Sequence, residues 1–331
     1  MPLITLTSGK SFQCEPGHSI LDAANKAGIS LPYSCKTGRC SSCKCKVLDG
    51  SSSRLHDETG LTQAEKAAGW ILSCVSTPNA DLLLEAEDLG DVALPSAKTL
   101  PCRINSIEKV GRDVLKVVLR LPPNTDFNFI PGQYIDVIGP NGIRRSYSLA
   151  NSSLENKQLE LHVKAVDGGA MSDYWFNRAK PNDLLRFNGP QGTFFLRDVS
   201  GLDLVFMATG TGIAPIKAML ESMVELAENK KPRSTTVLWG ARHEIDLYID
   251  ITTIQGSYRF LPAISRPETV WQGARGHVQQ VLLSQMPNLN NAAVYACGSE
   301  AMIQSAQVLL KAAGLPKDRF YSDAFVCSAS L

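Results

Sequence analysis

The chain has 331 residues, 33 basic and 32 acidic, with a net charge of +1 and 44% hydrophobic residues. That length exceeds one ordinary core and fits two or three domains, each large enough to bury an apolar interior. The charges nearly cancel and form no long block of one sign, so neither a nucleic-acid arm nor a polybasic membrane patch is indicated.

The first residues, MPLITLTSGKSF, lack a charged leader followed by an apolar segment, and no apolar run approaches the roughly eighteen residues of a membrane span. A soluble, cytoplasmic protein is expected. In a reducing compartment the nine cysteines point to metal or redox chemistry rather than to structural disulfides. Period-two stretches predict a strand pair over Leu3 to Thr7 and Ser11 to Cys14, and a helix follows near Ile20 to Ala27.

The stretch YSCKTGRCSSCKCKV then concentrates Cys35, Cys40, Cys43 and Cys45, and Cys74 follows in ILSCVS. Four residues separate Cys35 from Cys40, two separate Cys40 from Cys43, and about thirty lie before Cys74, which is the plant-type [2Fe-2S] spacing. Such a cluster needs four converging thiolates and backbone N–H groups aimed at sulfur. Gly38, Ser34, Ser41 and Ser42 are small enough for a close wrap. A four-cysteine zinc site is the alternative, but it more often uses two short cysteine pairs. Cys45 and Cys14 read as small buried side chains. Lys36, Arg39, Lys44 and Lys46 around the loop are candidates for docking a partner, or simply solvated charges.

A polar linker, DVALPSAKTLP, leads into six period-two stretches, which suggest a closed antiparallel barrel. In RRSYSLAN, Arg145 and Tyr147 are two apart on a strand and share a face, where an Arg pairs with a diphosphate and a Tyr lies against a ring. In ELHVKAVDGGAMSDYWFN, Ser172 is expected to cap a helix whose free N–H groups meet a phosphate. From residue 202 onward, apolar strands alternate with helical segments, the pattern of a parallel α/β sheet. Within it, LDLVFMATGTGIAPIKAMLE turns on Gly210 and Gly212, with Pro215 where a dinucleotide fingerprint would carry Gly or Ala. YACGSEAMI carries Cys297 and Gly298, and FYSDAFV carries Phe325. Read alone, the alternatives are a simple buried thiol for Cys297 and a core residue of a last strand for Phe325.

The first ninety residues resemble plant-type ferredoxins. The motifs RRSYS, GGAMS, GPQGTF, GTGIAP and YACGS together resemble the ferredoxin-NADP reductase superfamily. The resemblance implies a multidomain fold: a β-grasp-like [2Fe-2S] ferredoxin domain (1–90), a linker (91–99), an antiparallel FAD-binding β-barrel (100–198) and a parallel α/β NAD(P)-binding domain (199–331). It implies that Cys35, Cys40, Cys43 and Cys74 hold the cluster, Arg145 the flavin pyrophosphate, Tyr147 the isoalloxazine face and Ser148 its N5. Gly169, Met171 and Ser172 would line the flavin phosphate. Gly210, Thr211, Gly212, Cys297 and Gly298 would meet the nicotinamide nucleotide, and Phe325 would cover the flavin.

Ser265, Arg266 and Arg275 could receive a 2′-phosphate. However, NADP-preferring members carry a Tyr where this chain has His277, so NADH is the expected donor and NADPH the alternative. The implied activity is an NAD(P)H-dependent reductase passing electrons through FAD and [2Fe-2S] to a partner protein, the cofactors carrying the chemistry. The motif set is more similar to reductases serving CDP-sugar 3-dehydratases in 3,6-dideoxyhexose synthesis for lipopolysaccharide than to reductase components of bacterial oxygenases. A redox-sensing binding module would not need both nucleotide sites, and a zinc-stabilised interaction protein would be colourless.

Overall fold

The computed structural model describes residues 1–90 and 92–325. Asp91, in the expected linker, and 326–331, including Val326 of the quoted tail, lie outside the described residues. These residues separate into two compact units, 1–94 and 95–325.

The first unit comprises β1 (Leu3–Leu6), β2 (Ser11–Gln13), α1 (Ile20–Lys26), β3 (Lys44–Asp49), β4 (Ser52–Arg54), α2 (Gln63–Ala67), β5 (Trp70–Leu72), β6 (Ser76–Pro78) and β7 (Leu82–Glu85). Five strands form one sheet in the order β2-β1-β7-β3-β5, with β1 and β7 parallel, while β4 and β6 pair separately. Alternation along β1 and β7 sends Ile4, Leu6, Leu82 and Leu84 to one face. There they meet Ile20, Leu21, Ala23 and Ala24 of α1 in a single core. Ser19 starts α1, its hydroxyl accepting the Asp22 N–H at 3.0 Å. The same core holds Cys14 and Cys45, 0% and 2% exposed.

The second unit opens with β8 (Lys98–Lys109), β9 (Val114–Arg120), β10 (Tyr134–Ile138), β11 (Arg144–Ser148), β12 (Gln158–Lys164), α3 (Ala170–Asp173) and β13 (Leu184–Gln191). The antiparallel order is β11-β10-β13-β8-β9-β12. Its outer strands meet beyond β11, where Leu149 bridges Leu161 and the Ala150 N–H donates to the Glu160 carbonyl at 2.9 Å, so the sheet closes. Ile104, Val117, Leu119, Ile135, Val137, Leu161 and Phe187 fill the interior.

There follow β14 (Asp203–Thr209), α4 (Ile213–Ser222), β15 (Ser234–Ala241), β16 (Arg259–Ile264), β17 (Ala274–Arg275), α5 (Val278–Gln285), β18 (Ala292–Ser299), α6 (Glu300–Ala312) and β19 (Phe320–Phe325). All six strands are parallel, in the order β17-β16-β15-β14-β18-β19. The chain builds outward from β14 on one side and then returns to its other side, placing a switch point between β14 and β18. In open α/β sheets the crevice outside the carboxyl ends at that point is where ligands bind. No helix among the described residues is long and apolar enough to cross a membrane.

Candidate functional site

Between α1 and β3 the chain makes a tight loop with Lys36, Gly38 and Ser41 in the left-handed region. At Gly38 a methyl group would lie 2.3 Å from the Asp57 carbonyl oxygen, so the position excludes any side chain. The Gly60 N–H holds the Gly38 carbonyl at 2.9 Å, and the Ser41 hydroxyl donates to the Gly60 carbonyl. This folding brings the four predicted sulfurs together in pairs. The Cys35 N–H donates to Cys40 Sγ at 3.4 Å, the Thr37 N–H to Cys35 Sγ at 3.4 Å, and the Cys43 thiol lies 3.2 Å from Cys74 Sγ.

Within each pair one sulfur is acidified and the other is not. A hydrogen bond from the Cys40 thiol lowers Cys35, and that bond together with burial raises Cys40. In the same way Cys43 lowers Cys74 and is itself raised. Backbone N–H groups of Thr37, Arg39 and Gly38 add to the stabilisation of the thiolates. The pairs also sense each other electrostatically, Cys43 with Cys40 and Cys74 with Cys35. Among the described residues no three His, Cys, Asp or Glu close on one ion. Two adjoining thiol pairs with N–H groups aimed at sulfur fit a binuclear cluster, with two ligands to each metal, better than a single zinc.

Cys45 is no part of this set. Of the charges around the loop, Lys44 is partly buried, pairs with Glu65 at 2.7 Å and lies 5.1 Å from the Trp70 ring centroid. Lys36 sits 4.6 Å from the Tyr33 ring centroid.

On the barrel, β11 presents Arg145 and Tyr147 opposite Val137 and Ile135, and Ser148 opposite Tyr134. Arg145 is half-buried and donates to the Arg144 carbonyl at 2.7 Å. The Tyr147 hydroxyl accepts the Trp175 indole N–H at 2.9 Å, with the rings edge-on, and burial pushes its pKa up to about 12. Ser148 is buried.

The expected cap is corrected: Gly169, not Ser172, precedes α3, and Ser172 lies inside this four-residue helix. The Ser172 hydroxyl turns back and accepts the Val166 N–H at 2.9 Å, closing the Gly168–Gly169 turn. Met171 is buried in the barrel core against Gly139, where an added methyl would lie 2.3 Å from its sulfur.

At the switch point two turns interlock. Gly212 follows β14, and a methyl there would lie 2.2 Å from the Cys297 carbonyl oxygen. Gly298, with φ +140°, would place one 2.2 Å from Thr209 Oγ1, which accepts the Ser299 N–H at 3.0 Å. The Trp239 indole donates to the Gly210 carbonyl at 3.0 Å. Thr211 and Cys297 are buried, and burial raises the Cys297 thiol well above its ordinary pKa, so this thiol is not a thiolate nucleophile. Phe325 ends β19 beside Ser299 and is 39% exposed. Along the other half of the sheet edge, Ser265 Oγ donates to the Ala241 carbonyl, Arg275 to the Trp271 carbonyl, and His277 precedes α5.

Comparison with known proteins follows this layout. Residues 4–79 match the family model of the 2Fe-2S iron-sulfur cluster binding domain, 101–196 the oxidoreductase FAD-binding domain and 206–308 the oxidoreductase NAD-binding domain. The CDP-6-deoxy-L-threo-D-glycero-4-hexulose-3-dehydrase reductase of Yersinia pseudotuberculosis is 40% identical over 97% of both chains. The chain belongs to the iron-sulfur flavoprotein reductases of the ferredoxin-NADP reductase superfamily. Reductase component 1 of the Comamonas terephthalate 1,2-dioxygenase is 32% identical, over 96% of this chain and 95% of its own. The crystal structure of the Amycolatopsis cytochrome P450 reductase GcoB superposes with a TM-score of 0.76 at 28% identity, covering 98% of this chain and 99% of its own.

As a member of these reductases the chain is an NAD(P)H oxidoreductase with domains for a [2Fe-2S] cluster, FAD and a nicotinamide nucleotide. Sequence reasoning missed Trp175 and Trp239, whose indoles fix Tyr147 and the Gly210 turn. A tryptophan after a predicted turn and another within an apolar strand were the available signals, since a buried indole N–H needs a partner.

Proposed function

We propose that the chain oxidises NADH and delivers single electrons to a sugar 3-dehydrase acting on a CDP-6-deoxy-4-hexulose, in the cytoplasm, on the route to 3,6-dideoxyhexoses. The observation that carries the acceptor is the 40% identity, over nearly the full length, to a reductase of that class. The 32% identity to a dioxygenase reductase supports an oxygenase component as the second reading.

In this reading the ferredoxin domain spans 1–90, a linker 91–99, the flavin barrel 100–198 and the nicotinamide domain 199–331. Cys35, Cys40, Cys43 and Cys74 hold the cluster. Arg145 neutralises the flavin pyrophosphate, backbone groups at Gly169, Met171 and Ser172 face its phosphates, and Tyr147 lies along the ring with Ser148 at its N5. The Trp175 N–H anchors the Tyr147 hydroxyl and so fixes the orientation of the Tyr147 side chain. Gly210, Thr211, Gly212 and Gly298 offer backbone to the nicotinamide nucleotide, Cys297 walls the nicotinamide, and Phe325 covers the flavin. FAD supplies the conversion of a two-electron hydride into single electrons. NADH is favoured because His277 stands where a 2′-phosphate reader would carry Tyr.

The test is anaerobic titration of the purified protein with NADH, then NADPH, followed by visible absorbance and low-temperature EPR, and then by addition of a purified CDP-6-deoxy-4-hexulose 3-dehydrase. Flavin bleaching, a rhombic cluster signal and dehydrase-dependent NADH oxidation are expected. An EPR-silent protein would overturn the electron order. Normal reduction with coupling only to an oxygenase component would overturn the acceptor.

A further inference from the structure

A chain of hydrogen bonds and one ring contact runs from the flavin barrel to the glycine turn after β14, and the site described above uses only its last link, Trp239 to Gly210. His162, on β12, has a fully buried side chain. Its Nε2 lies 2.9 Å from Glu160 Oε1 and its Nδ1 lies 2.9 Å from the Tyr248 hydroxyl, 86 residues further on. Glu160 Oε1 also faces Lys217 Nζ of α4 at 3.3 Å, and Lys217 itself donates to Glu221 at 2.6 Å and to the Ala150 carbonyl at 2.9 Å.

These contacts fix the direction of every proton. A carboxylate salt-bridged to Lys217 only accepts, so His162 Nε2 carries the hydrogen. Burial disfavours a second proton on the ring, so Nδ1 offers a lone pair and the Tyr248 hydroxyl donates to it.

Tyr248 belongs to a segment of the α/β domain that lies against the barrel. A methyl added at Gly111, in the β8–β9 turn, would be 3.1 Å from Tyr248 Cβ, and Arg112 of the same turn pairs with Asp246 at 3.4 Å. On its other side the Tyr248 ring meets Trp239 edge-on, with centroids 5.2 Å apart. Trp239 in turn holds the Gly210 carbonyl. The contacts therefore run without a gap from Glu160 through His162, Tyr248 and Trp239 to the glycine turn.

We infer that His162 and Tyr248 are positioning residues for nicotinamide-to-flavin transfer, holding the Gly210 turn in register with the flavin barrel. The inference rests on the proposed electron order and deepens it. Neither residue touches a reacting atom. Both act through Trp239 and the turn, and the effect is large because hydride transfer falls steeply when its partners are misplaced by about 1 Å. A contiguous chain is a physical route for coupling, and the claim is testable by a double-variant cycle.

The experiment uses the full-length protein loaded with FAD and cluster, and compares wild type with Tyr248→Phe, His162→Gln, His162→Asn and the Tyr248→Phe/His162→Gln double variant. Anaerobic stopped-flow gives the limiting rate of flavin bleaching by NADH. Amide hydrogen exchange over residues 209–212 in the nucleotide-free protein gives a readout independent of turnover. Tyr248→Phe keeps the ring and loses the donor, while His162→Gln keeps a donor for Glu160 and loses the Nδ1 acceptor. Both should slow bleaching about tenfold and speed exchange in the turn. His162→Asn keeps an acceptor at the Nδ1 position and should stay within about threefold of wild type, and the double variant should be no slower than either single.

Bleaching by Tyr248→Phe within about twofold of wild type overturns the inference, as does multiplicative slowing in the double variant or a His162→Asn as slow as His162→Gln. A wild-type protein that NADH fails to bleach overturns the electron order and this inference with it. Normal wild-type bleaching beside unaffected variants overturns the inference alone.

Discussion

Replacing Gly212 with Ala tests the interlocked turns most directly. Gly212 has φ −60°, an ordinary helical value, so alanine meets no backbone penalty there and any effect must come from contact. Its methyl would sit 2.2 Å from the Cys297 oxygen, 2.5 Å from the carbonyl carbon and 2.9 Å from the Gly298 nitrogen, whereas ordinary contact begins at 3.4 Å. All three atoms are backbone, so no side chain can rotate away, and the two turns must part by about 1 Å. Overpacking of this kind costs about 1–3 kcal/mol, and a shift of about 1 Å between hydride donor and acceptor slows transfer by about a hundredfold. Anaerobic stopped-flow bleaching of the flavin by NADH gives the rate, urea unfolding gives the stability, and the EPR signal of the dithionite-reduced cluster serves as a control expected not to change. A Gly212→Ala protein with wild-type stability and a bleaching rate within about threefold of wild type would refute the packing argument.

Cys40→Ser removes one thiol of the first pair and should abolish cytochrome c reduction while leaving ferricyanide reduction by NADH, since ferricyanide draws directly from flavin; equal loss of both contradicts the electron order. Tyr147→Phe leaves the buried Trp175 N–H without its acceptor, which costs about 1–3 kcal/mol and should loosen FAD, as read by urea unfolding and by the rate of flavin release. Partial burial pushes the Glu65 carboxyl up, but hydrogen bonds from Lys44 and Thr62 outweigh it and hold its pKa at about 2. Because this folded-state pKa lies below the unfolded value of about 4.3, the stabilisation is present above pH 4.3 and is lost as the pH falls towards 2. Glu65→Gln should therefore cost about 0.5–1 kcal/mol at pH 6 and much less near pH 2, measured by unfolding of the first unit; an equal deficit at both values would place the effect elsewhere.

The parts of the molecule visible in the sequence are those in which one local rule acts alone. Ligand spacing around a metal leaves its mark in the intervals between Cys35, Cys40, Cys43 and Cys74. The strands of the α/β sheet show as apolar runs because both faces are covered, and those of the barrel show by alternation. What stayed hidden depends on partners distant in the chain. Gly212 is glycine because of Cys297, 85 residues away, a reason that flexibility of the glycine turn does not reveal. Lys44 reads as a surface charge until folding brings Glu65 and Trp70 to it. Ser172 misled for a local reason: its hydroxyl accepts the N–H of Val166 behind it, closing the turn instead of opening the helix.

The sheet of the first unit closes only when β7 slides in beside β1, joining residues nearly eighty positions apart, and among the described residues its core cluster reaches no further than Ala86. Since domains fold as units, the N-terminal one first during synthesis, this unit can close before the last barrel strand, which ends at Gln191, has been made. The domain that receives electrons last within the chain thus forms before the domains that feed it, and the electrons of the finished enzyme travel opposite to the direction in which the chain was made.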